Sequence, residues 1–310
     1  MLPGFPPQRP TDDEDPLLED MRVAVLDFET TGLYPHQGDE IIELAACRVD
    51  GFAVRDDGGY QALVNPGRPV SKAAFRVHGI SDEELRLHPP LDVHLRPFMD
   101  YVADRVLVGQ NVVFDLSFLA HSLKRRKLPL SWRHVLDTRW LARIVLPDLS
   151  HFGLDKIGAR LGIEPAGVRH RAMGDVLFTV DIFLALLERC RASGLRRLGD
   201  ILEAYEELEG GRSRNPALVD LLEECMRSRK SVVIHYTKAS SARRTRRRTP
   251  AFRKVDIYYT SPPYFIAYCH VRRGIRTFRM DRVKDVEVLD EAYEIPHPFY
   301  PEDHFMRWSK

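Results

Sequence analysis

Residues 24–35 read AVLDFETTGLYP, an apolar run that ends in two carboxylates one residue apart. The run from 21 to 28 is apolar and rich in β-branched residues, which predicts a buried strand. Side chains at i and i+2 of a strand point to the same face, so Asp27 and Glu29 project together. Adjacent carboxylates repel unless a cation lies between them, and Mg²⁺ or Mn²⁺ prefers oxygen ligands. The stretch alone is equally compatible with a solvated turn.

The segments that follow predict a mixed α/β sheet with helices on its faces. Two more strands are expected at 39–51 and 60–66, after which helical segments alternate with short apolar runs as far as Cys190. Short strands rich in Val, Ile and Tyr between 231 and 290 predict a small β-barrel. We expect a disordered acidic, Pro-rich tail over 1–20, an α/β domain over 21–192, a helical linker over 193–230, a β domain over 231–292 and a C-terminal tail over 293–310.

The composition excludes several classes of protein. Four cysteines are scattered without a CxxC pair, which argues against a thiolate zinc site or a disulfide framework and fits a reducing compartment. No apolar stretch approaches the roughly 20 residues of a membrane span. The N-terminus lacks the basic-then-apolar pattern of a secretion signal. We expect a cytoplasmic protein without a membrane partner.

Two further acids favour a metal site over a solvated turn. Asp115 follows a predicted strand at the start of a helix, where the alternative is an acid stabilised by the helix dipole. Asp175 lies on an otherwise apolar helix, five residues after His170. A buried acid needs a counter-ion, which a salt bridge could also supply. His151 and Asp155 form a second such pair, to which we assign a structural role at a helix start.

Three of these stretches resemble the motifs of the DnaQ-like, DEDDh-type 3′→5′ exonucleases, which have an RNase H-like fold. They are Asp27-Phe-Glu29-Thr-Thr-Gly, the Phe-Asp115-Leu-x-Phe-Leu context and His170-x-x-x-x-Asp175. The stretches VHGISDEEL (77–85) and LDTRWLAR (136–143) are similar to those between the family's motifs. The resemblance extends over residues 21–190.

The resemblance implies a set of catalytic residues. Asp27, Glu29, Asp115 and Asp175 would hold two divalent cations, Mg²⁺ or Mn²⁺, and His170 would be the general base toward the attacking water. Four carboxylates carry about the charge that two such cations neutralise. By the same similarity, backbone near the first motif would hold the terminal 3′-OH, a leucine would wedge against the last base, and an asparagine would line the path of the strand. These residues are Thr30, Thr31, Gly32, Leu33 and Asn111.

The second domain contains a concentration of positive charge. Residues 237–254 include eight basic side chains and no acid, which indicates either a solvated loop or a phosphate-binding segment beside aromatic strands. Residues 264–290 resemble the WYL domain, an Sm/SH3-like β-barrel found in bacterial regulators, with Tyr264-Phe265-Ile266 in place of Trp-Tyr-Leu. The resemblance implies a cationic pocket for nucleic acid or a regulatory anion, formed by Tyr236, Arg253, Tyr264, Arg276, Arg279 and Arg282.

Together these observations predict a metal-dependent 3′→5′ exonuclease. We expect it to trim single-stranded 3′ ends of DNA, which is favoured, or of RNA, and to release nucleoside 5′-monophosphates. The WYL-like domain would grip the strand or sense a regulatory ligand. The alternative is a nucleic-acid-binding regulator whose nuclease fold is non-catalytic or weakly active.

Overall fold

The structure is a computed structural model that describes residues 10–11, 14–130, 132–210, 216–237, 251–261, 264–299, 301 and 304. The chain divides into two compact units, one reaching to Tyr205 and one beginning at Glu206. The basic run Lys238 to Arg248 lies outside the described residues. Among the helices that the structure describes, none is both long enough and apolar enough to cross a membrane.

The first unit contains a mixed six-stranded sheet. Its strands are β1 (Arg22–Thr30), β2 (Ile41–Asp50), β3 (Ala53–Val54), β4 (Tyr60–Leu63), β5 (Val106–Gly109) and β6 (Val135–Asp137). The order is β3-β2-β1-β5-β6, and β4 also pairs with β2. Strand β1 is antiparallel to β2 and parallel to β5, which in turn is parallel to β6. The central strand of the sheet is therefore the one that carries Asp27 and Glu29.

Helices cover both faces of this sheet, as the sequence predicted. The helices that begin in the first unit are α1 (Lys72–His78), α2 (Asp82–Leu85), α3 (Leu91–Val102), α4 (Val113–Arg125), α5 (Thr138–Val145), α6 (Leu154–Leu161), α7 (Ala172–Ala192) and α8 (Leu198–Gly210). Val23 and Val25 of β1 pack in the core that contains α7, whereas Ala24 and Leu26 pack in the core that contains α3 and α4. Because side chains alternate along a strand, the next residues in the Val23–Val25 row are Asp27 and Glu29. Both acids therefore face the side of the sheet that α7 covers.

The predicted disordered tail is wrong for residues 14–20. Leu18 is fully buried in the core beside Leu198 and Ile201. The Leu18 N–H donates to the Arg196 carbonyl at 2.9 Å, and the Leu198 N–H donates to the Pro16 carbonyl at 3.1 Å. A short apolar segment is ordered here because it covers the apolar start of α8. Residues 1–9, 12 and 13 of the predicted tail lie outside the described residues.

The second unit consists of α9 (Pro216–Ser228) and an antiparallel sheet. Its strands are β7 (Lys230–Tyr236), β8 (Ala251–Ser261), β9 (Tyr264–Cys269), β10 (Gly274–Arg279) and β11 (Val283–Ala292), in the order β10-β9-β8-β7-β11. The edge strands β10 and β11 are joined by one 3-10 turn, Met280–Arg282. Four strand spacings of a flat sheet would span about 19 Å, whereas four residue steps reach at most about 14 Å. The sheet must therefore curl toward the predicted barrel.

The chain after β11 also packs on this sheet where it is described. The Tyr293 hydroxyl donates to the Ile257 carbonyl, and the Thr277 hydroxyl donates to the His304 carbonyl at 2.7 Å. The aromatic ring of Phe299 contacts Tyr258 at a centroid distance of 5.3 Å. The predicted C-terminal tail thus contributes packing to the second unit.

Candidate active site

The structure brings three of the four predicted metal ligands together. Asp27 and Glu29 lie near the end of β1, and Asp175 lies in the first turn of α7. One carboxylate oxygen from each of these residues lies within 4.8 Å of the others. The strand and the helix are far apart in the sequence, so the fold itself assembles the cluster.

Asp115 adjoins this group and lies on helix α4. It is buried in the first turn of α4, and its Oδ1 accepts a hydrogen bond from the Phe28 N–H at 2.9 Å. Phe28 is the residue between Asp27 and Glu29, so the bond fixes Asp115 to the same end of β1. The charge of Asp115 acts on both of these acids and raises the pKa of each.

The site has an excess of negative charge. Burial raises the pKa of Asp27 well above its ordinary range, and the charges of Asp115 and Glu29 add to this shift. Burial, followed by the charges of Glu43 and Asp115, raises the pKa of Glu29 to about 8. Burial also raises the pKa of Asp115 to about 8, although its hydrogen bond from Phe28 opposes the shift. Carboxylates in this state bind either protons or metal cations, so the residues fit divalent cations.

Arg169 is a cation inside this acidic site. Its Nη1 donates to Asp175, while Nε and Nη2 donate to Asp155 Oδ1 at 3.1 and 2.9 Å. Its guanidinium also lies 5.3 Å from the ring centroid of Phe178. Asp155, predicted to be structural, thus anchors an arginine that contacts a predicted metal ligand. His151 is exposed and lies 3.0 Å from the Ser150 hydroxyl.

His170 precedes α7 by two residues, and its side chain is exposed. Its backbone has φ of +60°, the left-handed region, and its N–H lies 3.3 Å from each oxygen of Asp175. The carboxylate of the predicted metal ligand therefore holds the histidine backbone in place. The imidazole remains open to solvent.

Thr31 stabilises the turn after β1 through hydrogen bonds. It is fully buried. Its hydroxyl donates to Asp39 Oδ1 at 3.2 Å and accepts from the Glu40 N–H at 3.0 Å, and its own N–H donates to the Glu40 carbonyl. The polar groups of Thr31 are thus bonded within the protein, and its contact with substrate stays a prediction. Thr30 is also mostly buried, and its hydroxyl donates to the Gly32 carbonyl at 2.6 Å.

The remaining predicted substrate residues lie around this turn and at the start of α4. A Cβ on Gly32 would lie 2.3 Å from an oxygen of Asp39, so the glycine is required by this close approach. The Leu33 side chain is 41% exposed, which leaves it available for contact with a base. Asn111 is partly buried and has a φ of +60°. It lies two residues before α4, the helix that carries Asp115.

Sequence reasoning missed a fifth acid, Glu43. It lies on β2 directly opposite Glu29 and is fully buried. In the sequence, Glu43 is distinguished only as the one acid within the apolar run IIELAAC. An acid at such a position usually marks a solvent-facing side of a strand, so the run gave no indication of burial.

Four of the six predicted WYL-site residues are linked in the second unit. The Arg253 guanidinium lies 5.2 Å from the Tyr236 ring centroid, and that of Arg279 lies 5.7 Å from the Tyr264 ring centroid. The Tyr236 hydroxyl accepts from the Arg279 N–H at 3.0 Å. Tyr236 and Arg279 are buried, so they also stabilise the fold.

The other two predicted residues and the aromatic strands differ in their surroundings. Arg276 is exposed on β10, and the backbone carbonyl of Arg282 accepts from the Thr237 N–H at 2.9 Å. Phe265 forms part of the core, and Tyr258 is buried against Phe299, so neither ring lies on an open stacking surface. Phe252 on β8 is far more open, at 68% exposure.

Comparison with known families gives two matches. The family model described as exonuclease matches residues 24–183, and the model of the WYL domain matches residues 217–288. The first match includes all four predicted metal ligands and His170. The second includes β7 to β10 and most of β11.

Curated relatives are similar over the first unit. A DNA polymerase III subunit epsilon-like protein of Rhodobacter capsulatus is 39% identical over 191 residues, which cover 60% of this chain and 26% of that protein. A PolC-type DNA polymerase III of Thermotoga maritima is 34% identical over 197 residues, or 63% of this chain and 14% of that protein. The DNA polymerase III subunit epsilon of Rickettsia typhi is 32% identical over 174 residues, or 54% and 75%. The chain spans about a quarter or less of the first two.

Solved structures show the same fold. Exonuclease I of E. coli in complex with a dA16 oligonucleotide is 18% identical with a TM-score of 0.51, and the match covers 81% of this chain and 55% of that one. A zinc-bound complex of the same enzyme with single-stranded DNA is 19% identical with a TM-score of 0.51, over 80% and 54%.

Proposed function

We propose, because the chain belongs to the exonuclease family and also carries a WYL domain, that it is a metal-dependent 3′→5′ exonuclease. The observation that carries the proposal is the convergence of Asp27, Glu29 and Asp175, whose carboxylate oxygens lie within 4.8 Å of one another. Asp115 adds a fourth acid through its bond to the Phe28 N–H. The backbone of the exposed His170 is bonded to one of these carboxylates.

The acids supply a site for two divalent cations, Mg²⁺ or Mn²⁺. Asp27, Glu29, Asp115 and Asp175 would hold them, since oxygen ligands suit both metals and the charges balance. When bound, the ions would polarise a water molecule and neutralise the scissile phosphate and its leaving oxygen. The raised pKa values of Asp27, Glu29 and Asp115 support this assignment, because burial and the neighbouring carboxylates outweigh the opposing charge of Arg169.

His170 would accept the proton of the attacking water. Its backbone is held by Asp175, which keeps the point where its side chain begins next to a predicted metal ligand. A water oxygen then forms the new bond to phosphorus, the bond from phosphorus to the 3′-oxygen breaks, and the 3′-oxygen takes up a proton. The phosphate stays on the released nucleotide, so the product is a nucleoside 5′-monophosphate.

The substrate in this proposal is a single-stranded 3′ end, with DNA favoured over RNA. The half-exposed Leu33 beside the site is suited to contact an unpaired terminal base. The preference for DNA follows the relatives, which are named as DNA polymerase III proteins. The second unit would bind the strand farther from its end, or a regulatory anion, through Arg253 and Arg276. A cytoplasmic location fits four cysteines that are all buried as free thiols.

The test is degradation of a 5′-labelled single-stranded oligonucleotide with Mg²⁺ or Mn²⁺. Wild-type protein should produce a ladder that shortens from the 3′ end, and Asp175→Ala should lower kcat by at least about 10³-fold because a metal ligand is lost. Asp181→Ala is the matched control, since Asp181 is an exposed acid on the same helix.

Three outcomes separate the hypotheses. A ladder with wild type and Asp181→Ala, but not with Asp175→Ala, supports the proposal. Binding of the oligonucleotide without degradation in either metal would favour a nucleic-acid-binding regulator instead. Equal degradation by wild type and Asp175→Ala would show that the activity does not come from this site.

A further inference from the structure

Two fully buried acids lie next to the site without belonging to the predicted ligands. Asp137 Oδ2 accepts from the N–H of Val112, the N-cap residue of α4, at 3.2 Å. Glu43 Oε2 accepts from the N–H of Ala172, the first residue of α7, at 3.0 Å. These are the two helices that carry Asp115 and Asp175. Each acid comes from a strand of the sheet, so each joins the sheet to the start of one catalytic helix.

Glu43 has no remaining capacity to hold a metal. Its Oε1 accepts from the Gln61 amide at 2.9 Å and from Arg171 Nη2 at 3.4 Å. Its Oε2 accepts from Arg171 Nε at 3.2 Å, in addition to the Ala172 N–H. A buried carboxylate with four donors is fully satisfied. Its role must therefore differ from that of Asp27 and Glu29.

The charge of Glu43 has a specific partner in the segment before α7. Glu43 lies directly opposite Glu29 in the register of β1 and β2. A glutamine could accept from the Ala172 N–H, but it would carry no charge. What only the carboxylate supplies is an ion pair with Arg171, the residue that directly follows His170. The charge thus fixes the segment that places the histidine.

We propose that Glu43 is a positioning residue that holds His170 and Asp175 against β1 through Arg171 and the start of α7. Asp137 has the same relation to Asp115 through the start of α4. Neither acid touches the substrate or the metal. The inference rests on the proposed function, since it assigns these residues to the alignment of that metal site.

The test compares Glu43→Gln, Arg171→Gln and a matched control in the full-length chain. Arg105→Gln is the control, because buried Arg105 joins the same two strands at their other end, with bonds to the Val23 carbonyl at 3.1 Å and to Asp50 at 2.6 Å. The measurements are Mn²⁺ affinity by isothermal titration calorimetry, Tm without metal, and kcat and KM on a single-stranded oligonucleotide.

We expect Glu43→Gln to weaken Mn²⁺ binding and to lower kcat, each by about 10- to 100-fold, as for other residues that orient ligands. KM should not change, whereas Tm without metal should fall, because the buried donors of Gln61, Arg171 and Ala172 lose a charged acceptor. Arg105→Gln should lower Tm but leave the Mn²⁺ affinity and kcat unchanged. If Glu43 had only a structural role, Glu43→Gln would lower Tm and leave the Mn²⁺ affinity and kcat unchanged, as in Arg105→Gln.

Arg171→Gln separates positioning from a simple charge effect. Loss of a positive charge near the site would tighten Mn²⁺ binding if charge alone mattered, whereas loss of positioning would weaken it. Tighter binding in Arg171→Gln, or unchanged Mn²⁺ affinity and kcat in both variants, would overturn the inference while the proposed function stands. A wild-type chain that binds no Mn²⁺ would overturn both.

Discussion

Glu29 lies between two other acids, with Asp27 two residues before it on β1 and Glu43 opposite it on β2. Burial removes water from its carboxylate, and the neighbouring charges of Glu43 and Asp115 oppose a further negative charge, so its pKa rises to about 8. At neutral pH and without metal, this carboxylate therefore holds a proton. A metal ion can therefore bind to the Glu29 carboxylate only when this proton is released.

Metal affinity should consequently depend on pH. Glu29 and Asp115 both have a pKa of about 8 without metal, so Mn²⁺ must displace protons below that pH. We expect the Mn²⁺ affinity to rise by up to about tenfold per pH unit for each proton released between pH 6 and 8. Calorimetry in buffers of different ionisation heat measures the number of protons released. Glu29→Gln is the control and should release fewer, and a pH-independent affinity would contradict the assignment.

The same shifts fix the sign of the stability change. The ordinary pKa values of these two acids are 4.5 and 3.8, so from about pH 4 to 8 the folded state binds more protons than the unfolded state. The unfolding free energy of the metal-free protein should therefore fall as pH rises through this window, and saturating Mn²⁺ should remove most of that fall. Urea unfolding at several pH values, with and without Mn²⁺, measures both effects.

The first turn of α7 brings Asp175, the acid of the His170-x-x-x-x-Asp175 motif, to the sheet. The chain before it crosses closely over this turn, so that a Cβ on Gly174 would lie 2.1 Å from the Val168 carbonyl oxygen. Gly167 also lies against Gly174. The glycines allow the segment that ends in His170 to approach the helix. Its geometry is thus coupled to that of Asp175.

Gly174→Ala should disturb both stability and activity. The added methyl group forces the crossing segment outward, which we expect to lower the unfolding free energy by about 1–3 kcal/mol and to lower kcat through displacement of His170. Urea unfolding and the oligonucleotide assay measure the two effects. Gly153→Ala is the control, because a Cβ at Gly153 would meet no atom within 4 Å and its φ is negative. A Gly174→Ala protein with unchanged kcat would mean that the crossing does not place the histidine.

The sequence allowed prediction of contacts that depend on local geometry. Asp27 and Glu29 share a face because they are two residues apart on a strand, and the helix that carries Asp175 follows from its apolar run. Glu43 could not be found in this way, since its partners Arg171 and Ala172 lie about 130 residues further on. The burial of Thr31 depends on Asp39 and Glu40, and that of Leu18 on the start of α8. Each depends on a turn or a packing contact that no periodicity encodes.

At the scale of the whole molecule, each compact unit carries one of the two family matches. The exonuclease match lies entirely in the first unit, and the WYL match lies in the second. The cationic residues Arg253 and Arg276 belong to the unit that lacks the carboxylate cluster. We therefore expect that hydrolysis and the proposed strand binding by the second unit can be changed separately by substitution.

Replacement of these two arginines should affect long substrates alone. We expect the double variant Arg253→Ala/Arg276→Ala to weaken binding of a long single strand by about tenfold. The slope of the logarithm of its binding constant against the logarithm of the salt concentration should fall by the equivalent of up to about two phosphate contacts. Cleavage of a dinucleotide should be unchanged. Fluorescence anisotropy at several salt concentrations and product chromatography measure the two. Arg227→Ala is the control, since Arg227 is an exposed arginine of the same unit, paired with Glu224. Equal losses on both substrates would assign the arginines to support of the nuclease.

The contact between residues 16–18 and residues 196–198 brings the two ends of the nuclease fold side by side. A domain whose two ends lie side by side can be inserted into another polypeptide chain without distortion of its fold. The regions that match this chain make up 14% of one relative and 75% of another, as expected for such a fold.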